Sequence, residues 1–444
     1  MATNIKLLKS EYQYCIFNTE NFHLFDINEF SYNVISHFLK NKDITKTAKH
    51  YKLEECEITS LLNKIGYKLY NIHQNNDTII PRNRVIDRIT IHVSNDCNLR
   101  CKYCYASGGS YGKARSIMST ETAKKIVDYC CDNFKEIRNI VFFGGEPFLN
   151  YPIIEFICNN FQEKFNNGEI QTIPRFGAIT NGTIQSAKVI SIIKDFFSFI
   201  TVSIDGPKEI NDINRVTAFG HGSFDRIYNF LKQISSFSTL KISIEATYTK
   251  QHIERGYTRE MIRDYFLNEF NLNADIVDEM SLDDSNMVIS ELEKPFESPW
   301  FDSILKTLVN KKTETKCQIL RSTFAISSDG GIFPCHMNIG DGMDPILSIW
   351  DSEKKINDII QYDKSYSLKD NDVCRNCWAN NICGGCARLS FFDSLKKTYS
   401  HTPIVSKCDE FKHILEKTLL KICEVRRNTE LWETLLSRIN ISHN

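Results

Sequence analysis

Apolar residues recur at two spacings along this chain, and the switch between them maps its elements. Runs at 5–8, 12–17 and 22–27, separated by the polar turns Ser10-Glu11 and Asn18-Thr19-Glu20-Asn21, read as three short strands. A helical period follows. Val34, Ile35, Phe38 and Leu39 share one face, and Ile58, Leu61, Leu62 and Ile65 repeat three and four residues apart. The pattern stops near Tyr70, and the polar stretch 71–83, with Asn75-Asn76-Asp77 and Pro81, reads as a linker. From Arg88 strand and helix alternate: strands at 88–93, 139–143, 175–179, 199–204 and 240–247, with helices at 118–134, 151–165, 185–197 and 223–235 between them. Such alternation builds a parallel α/β sheet or barrel whose chemistry sits at the C-terminal strand ends. Those ends read Ser94-Asn95-Asp96-Cys97, Gly144-Gly145-Glu146-Pro147, Thr180-Asn181-Gly182 and Asp205-Gly206-Pro207. A charged stretch at 310–316 separates a C-terminal portion.

Composition narrows the classes. With 444 residues, 42% of them hydrophobic and 25% charged, the chain is long enough for two or three cores. A formal net charge of -1 provides no broad field for nucleic acid or an anionic membrane, so neither is an expected partner. No apolar run approaches the roughly 18 residues of a membrane span, and the first residues lack a signal-peptide core. A cytoplasmic location is therefore expected. In a reducing compartment the sixteen cysteines read as metal ligands rather than disulfides.

Their spacing is specific. Cys97-x3-Cys101-x2-Cys104 offers three thiolates to a four-iron cube and leaves one iron open to a ligand. Toward the C-terminus stand Cys317, Cys335, Cys374, Cys377, Cys383, Cys386 and Cys408; Cys374-x2-Cys377 and Cys383-x2-Cys386 alone would also suit a four-cysteine zinc site. Cys15, Cys56, Cys130, Cys131, Cys158 and Cys423 fall in apolar contexts and are expected to be buried packing residues.

The first triad, with Tyr103 before its third cysteine and Gly144-Gly145-Glu146-Pro147 at the next strand end, resembles the signature of the radical S-adenosylmethionine (SAM) superfamily. The resemblance implies a partial (β/α)6 TIM-like barrel over 84–309 and a [4Fe-4S] cluster on Cys97, Cys101 and Cys104, with SAM bound to the open iron. It further implies that Tyr103, Gly144, Gly145, Glu146, Asn181, Ser203, Asp205 and Arg215 contact SAM. No catalytic base is assigned. The seven later cysteines resemble a SPASM domain, here 310–444, although two residues rather than the usual three separate Cys383 from Cys386. In relatives this pattern holds two auxiliary [4Fe-4S] clusters, which makes three in all. Carried over, Cys374, Cys377, Cys383 and Cys408 complete one, and Cys317, Cys335 and Cys386 leave the other with an open iron, since 318–326 contains no cysteine.

Residues 1–75 resemble the PqqD-like winged helix-turn-helix element that binds the leader of a ribosomally made precursor peptide, adding a strand to a sheet edge beside a helix near 53–65. Glu54, Glu55 and Glu57 stand where a DNA-reading helix would carry basic residues. The resemblance therefore implies a radical SAM enzyme forming thioether cross-links in a cysteine-containing precursor peptide, similar to ranthipeptide and sactipeptide maturases, with an external flavodoxin- or ferredoxin-type electron donor. The alternatives are carbon–carbon cross-linking, formylglycine-type maturation, and an iron–sulfur redox sensor or DNA-binding protein. His336 follows Cys335 where formylglycine-forming relatives carry an acidic base. The peptide itself, the carbon that accepts sulfur and the number of links are not encoded in this chain.

Overall fold

A computed structural model describes residues 2–70, 85–279, 299–311, 317, 319, 322–351, 371–383, 386–400 and 402–441. The linker expected at 71–83 lies outside them, as do 312–316 of the charged stretch.

At the N-terminus β1 (Ile5–Lys9), β2 (Tyr14–Asn18) and β3 (Leu24–Ile27) form an antiparallel sheet in that order. Helices α1 (Glu29–Asn41), α2 (Ile44–Tyr51) and α3 (Glu55–Lys64) follow. Local chemistry sets their starts: Asn28 and Asp43 accept from Ser31 N and Lys46 N, and Glu54 with Glu57 closes a capping box. Side chains on β2 alternate between two cores. Ile16 packs with Val34, Ile35, Phe38, Ile58 and Leu62, whereas Cys15 and Phe17 face the C-terminal part of the chain.

The central sheet begins with β4 (Arg88–Ser94), followed by α4 (Thr120–Asn133), β5 (Asn139–Gly144), α5 (Tyr151–Asn166), β6 (Arg175–Thr180), α6 (Ala187–Phe196) and β7 (Phe197–Ser203). Next come α7 (Lys208–Asn214), α8 (Phe224–Ile234), β8 (Lys241–Tyr248), α9 (Lys250–Glu254), α10 (Arg259–Phe270) and β9 (Ala274–Asp278). β4 to β9 are parallel and adjacent in sequence order, the six-stranded open part of a barrel. Ile89, Ile91 and Val93 of β4 face the helices while Thr90, His92 and Ser94 alternate with them.

After α11 (Pro299–Asn310), β10 (Thr323–Ile326) pairs parallel to β4, and β11 (Gly331–Phe333) and β12 (Leu347–Ser348) extend the same edge antiparallel. The sheet thus continues past the boundary read at 309. The chain closes with α12 (Asp372–Arg375), α13 (Ala387–Phe391), the long α14 (Val405–Val425) and α15 (Thr429–Ile441). Leu415, Leu419, Ile422 and Cys423 of α14 share one core with Leu8, Cys15, Phe17 and Leu24 of the first three strands and Phe301 and Leu305 of α11. Among the described residues no helix is long and apolar enough to cross a membrane.

Candidate active site

The loop after β4 carries Cys97, Cys101 and Cys104, and its own backbone dictates the residues opposite. Gly145 N donates to Ser94 O at 2.9 Å and Glu146 N to Asp96 O at 2.8 Å, pinning the turn after β5 against the cysteine loop. A Cβ on Gly144 would stand 2.1 Å from Ser94 O, and one on Gly145 would stand 2.3 Å from Asp96 O. Gly144 also has φ +131, a conformation open to glycine. The glycine pair is therefore required by contact with the triad loop. The guanidinium of Arg100 donates to Cys97 O at 2.5 Å and Leu99 O at 2.6 Å and stiffens the turn further.

A cavity of about 360 Å³ opens over these groups. Cys97, Cys101 and Cys104 line it, with Tyr103, Gly144, Gly145, Asn181, Ser203 and Arg215. Glu146 and Asp205 stand one layer behind. The Glu146 carboxylate, fully buried, accepts from Thr180 Oγ1 at 2.7 Å, Asn181 N at 2.8 Å and Phe148 N at 3.1 Å, which fixes the end of β6. Burial pushes its carboxyl up to about 7 against the pull of those three donors. Asp205 accepts from Tyr103 Oη at 2.9 Å and Thr247 N at 3.2 Å, and Arg215 also reaches Tyr103 Oη. Burial raises the Asp205 carboxyl despite the neighbouring Arg215. Asn181 Nδ2 contacts Cys97 Sγ at 3.5 Å and Asn98 Oδ1 at 2.9 Å.

Sequence reasoning did not place Tyr105, Tyr111, Phe143, Glu245, Thr247, Val277 or Met337 at this cavity, yet all line it, as does His336. The signal for two of them was present. Glu245 and Thr247 alternate with Ile244, Ala246 and Tyr248, which pack outward in the sheet core, so a carboxylate in an apolar strand marked the inner face.

Cys374, Cys377, Cys383 and Cys408 line a second cavity of about 330 Å³ with Trp378, Phe411 and Lys412. Asn371 caps the short α12 by accepting from Val373 N, and Cys377 N donates to Cys374 O at 3.1 Å, so the first pair shares one tight turn. Cys408 arrives on the first turn of α14. Cys317, Cys335 and Cys386 are mutual neighbours: burial pushes the Cys335 thiol up to about 11, and Cys317 and Cys386 add to that effect. Cys335 Sγ lies 3.8 Å from His336 Nδ1, which connects this trio to the first cavity.

All sixteen cysteines are free thiols. Four outside these sets, Cys15, Cys130, Cys158 and Cys423, are buried as expected; Cys131 is half-buried but still packs against the central core, and Cys56 is exposed, which corrects the packing role read for it. Cys56 lies at the start of α3, where the first turn faces outward. Among the described residues no three His, Cys, Asp or Glu converge as they would on a single ion. The thiols instead border spaces of polynuclear size, and the donor set is the sulfur-only one that iron–sulfur cubes take. Burial pushes the Cys97 thiol up to about 12, so ligation there must expel a proton.

Residues 91–255 match the family model of the Radical SAM superfamily, and 317–378 match SPASM, an iron–sulfur cluster-binding domain. A cysteine-type anaerobic sulfatase-maturating enzyme of Clostridium novyi (strain NT) is 24% identical over 368 residues, covering 76% of this chain and 96% of that protein. The radical SAM cyclopropyl synthase TigE of Paramaledivibacter caminithermalis is 22% identical over 477 residues, covering 94% and 97%. The fold is similar to "Native anSMEcpe with bound AdoMet", with a TM-score of 0.58 at 20% identity over 80% of this chain and 99% of that one.

Proposed function

Since the chain is a radical SAM/SPASM enzyme, we propose that it joins cysteine sulfur to carbon in a ribosomally made precursor peptide, as ranthipeptide and sactipeptide maturases do. The observation that carries this reading is the trio Cys317, Cys335 and Cys386, which has no fourth cysteine over 318–326 and connects to the first cavity through His336 and Met337. A thiolate from the substrate can complete such a set.

Cys97, Cys101 and Cys104 would hold the SAM-binding [4Fe-4S] cluster, and Tyr103, Gly144, Gly145, Asn181, Ser203 and Arg215 would border SAM. When bound, SAM and its cluster supply a 5′-deoxyadenosyl radical that removes hydrogen from carbon. The chain's own work is positional. Glu146 fixes Asn181 and Thr180 at the end of β6, Asp205 orients Tyr103 and Arg215, and the closely packed Gly144-Gly145 turn keeps the triad in place. Cys374, Cys377, Cys383 and Cys408 would hold the fully ligated auxiliary cluster. A flavodoxin- or ferredoxin-type protein would supply the electron.

In this reading residues 1–75 recognise the leader, 84–309 form the radical SAM core and 310–444 the SPASM domain. Among the described residues β3 pairs only with β2, and Arg426 donates to Leu24 O on its other edge, so a leader strand added there would take the place of that contact. The similarity to sulfatase-maturating enzymes supports a second reading, oxidation of a protein cysteine to formylglycine. His336, in place of an acidic residue after Cys335, favours the first.

The test is anaerobic incubation with SAM, reductant and each short cysteine-bearing peptide that the neighbouring reading frames encode, followed by mass spectrometry. A thioether product loses two hydrogens and one alkylatable thiol per link. A product that keeps its backbone links but carries an aldehyde in place of the thiol would replace this reading with the second.

A further inference from the structure

Several of the polar groups that line the first cavity are engaged within the protein. Tyr111 Oη donates to Gly144 O at 2.8 Å, Thr180 Oγ1 to Glu146, and Asn181 Nδ2 to Asn98. Tyr103 and Arg215 are turned toward Asp205. The two charged side chains of the lining, Arg215 and Glu245, stand apart. Arg215 Nε has no acceptor among the described residues although the residue is only 6% exposed, and the carboxylate of Glu245 receives no donor among them. An unmatched buried donor and a half-buried carboxylate each cost free energy until a ligand answers them. The cavity is therefore built for something that brings both an acceptor and a donor.

Their positions separate the two demands. Arg215 follows α7 and leans on Tyr103, in the triad's own loop, so its acceptor lies on the triad side. Glu245 is on β8, four strands across the sheet from β4 and one strand from β9, the last strand on that side among the described residues. In the pairing of β7, β8 and β9 it stands opposite Ser203 on one side and Asp275 on the other. Burial raises the Glu245 carboxyl, Arg215 opposes this, and Asp275 adds to it. Two carboxylates on adjacent strands leave this wall with excess negative charge, which a cation relieves better than a neutral donor does.

We infer that Glu245 is a specificity-determining residue that receives a positively charged side chain, lysine or arginine, flanking the residue that the enzyme modifies. The inference rests on the reading of the substrate as a peptide. Its source is distinguished from the cofactor by position: a cation held at Glu245 lies on the β8–β9 side of the cavity, away from the triad.

The test uses acetylated, amidated peptides with a central cysteine and a single flanking position occupied by lysine, alanine or glutamate. Binding to the reconstituted enzyme is measured by fluorescence anisotropy, and SAM affinity by equilibrium dialysis. Wild-type enzyme should prefer the lysine peptide over the alanine peptide by about tenfold, the scale of one charge-assisted hydrogen bond. Glu245→Gln should erase that preference, and Glu245→Lys should shift it to the glutamate peptide, with SAM affinity unchanged in both. Loss of SAM affinity in Glu245→Gln would make the residue a cofactor contact and overturn the inference. So would a lysine preference that survives both substitutions. Failure of all three peptides to bind wild-type enzyme, with SAM bound normally, would instead defeat the peptide-substrate reading beneath it.

Discussion

Burial holds the Glu146 carboxyl near neutrality, at about 7, and this gives a residue-scale prediction with a definite sign. Its folded value is raised above the usual carboxylate range, so its contribution to stability is complete below that range and is lost as pH rises through about 7. Glu146→Gln is neutral throughout and turns an amide toward three donors, which costs about 1–3 kcal/mol. Melting curves should therefore show the wild type's advantage over Glu146→Gln shrinking between about pH 5 and about pH 8. The cysteines give a second prediction: replacing Cys97, Cys101 and Cys104 together by alanine should abolish 5′-deoxyadenosine formation and remove about a third of the iron. Continued formation of that nucleoside would refute the assignment. At this scale much was legible, because cysteine spacing is written directly in the chain. What the sequence concealed was orientation. The Gly-Gly-Glu turn reads only as a cofactor contact, whereas in the structure the two glycines also pack on Ser94 O and Asp96 O, and the glutamate is engaged by Thr180, Asn181 and Phe148.

At the scale of elements, period alone recovered five strands and four helices from 88 to 248 within a residue or two, since each is long and faces one core, but it missed the short α7 (Lys208–Asn214). It failed where elements are short or lack an apolar stripe. α2, Ile-Thr-Lys-Thr-Ala-Lys-His-Tyr, is defined by its Asp43 cap and two buried residues, Thr47 and Ala48. β9 to β12 have two to five residues each, too short for a period to show, and the partner of β10 is β4, far back along the chain. α14 was read only for Cys408, although it is the longest helix among the described residues. Leu419 on this helix is fully buried in the core shared with the first strands. Leu419→Ala should cost about 2–5 kcal/mol in a denaturant titration followed by circular dichroism. The same variant should release the iron held near Cys408 at lower denaturant than the iron of the Cys97 triad. Simultaneous release would show that the helix is not what secures that site.

For the whole molecule, the three proposed cluster sites predict about twelve irons per chain after reconstitution. A value near four, with zinc present, would favour a structural-zinc reading of the C-terminal portion. Sequence reasoning treats residues 1–75 as a leader-binding unit of their own. The packing says otherwise. Arg427 grips Asp26 through two contacts of 2.8 Å, Arg426 donates to Leu24 O at 2.9 Å, Asn381 to Thr19 O at 2.8 Å, and Lys6 lies 4.8 Å from the Trp378 ring centroid beside Cys377. Deleting residues 1–75 would expose Leu415, Leu419 and Leu305 to water. The truncated protein should therefore lose the iron of the Cys374 set and aggregate, besides failing to process leader-bearing peptide. Full iron content in a soluble truncation would disprove this coupling.

The core shared by β1–β3 and α14 also has a consequence in time. Ribosomes release the N-terminal sheet first, yet the helix that covers Leu8, Phe17 and Leu24 is synthesised roughly 400 residues later. Until then, among the described residues, α11, which begins at Pro299, is the only helix that can share that apolar face, and closing so long a loop is slow. Chains stopped before residue 405 should accumulate bound to chaperones, and the yield of soluble enzyme should track how quickly translation reaches its end.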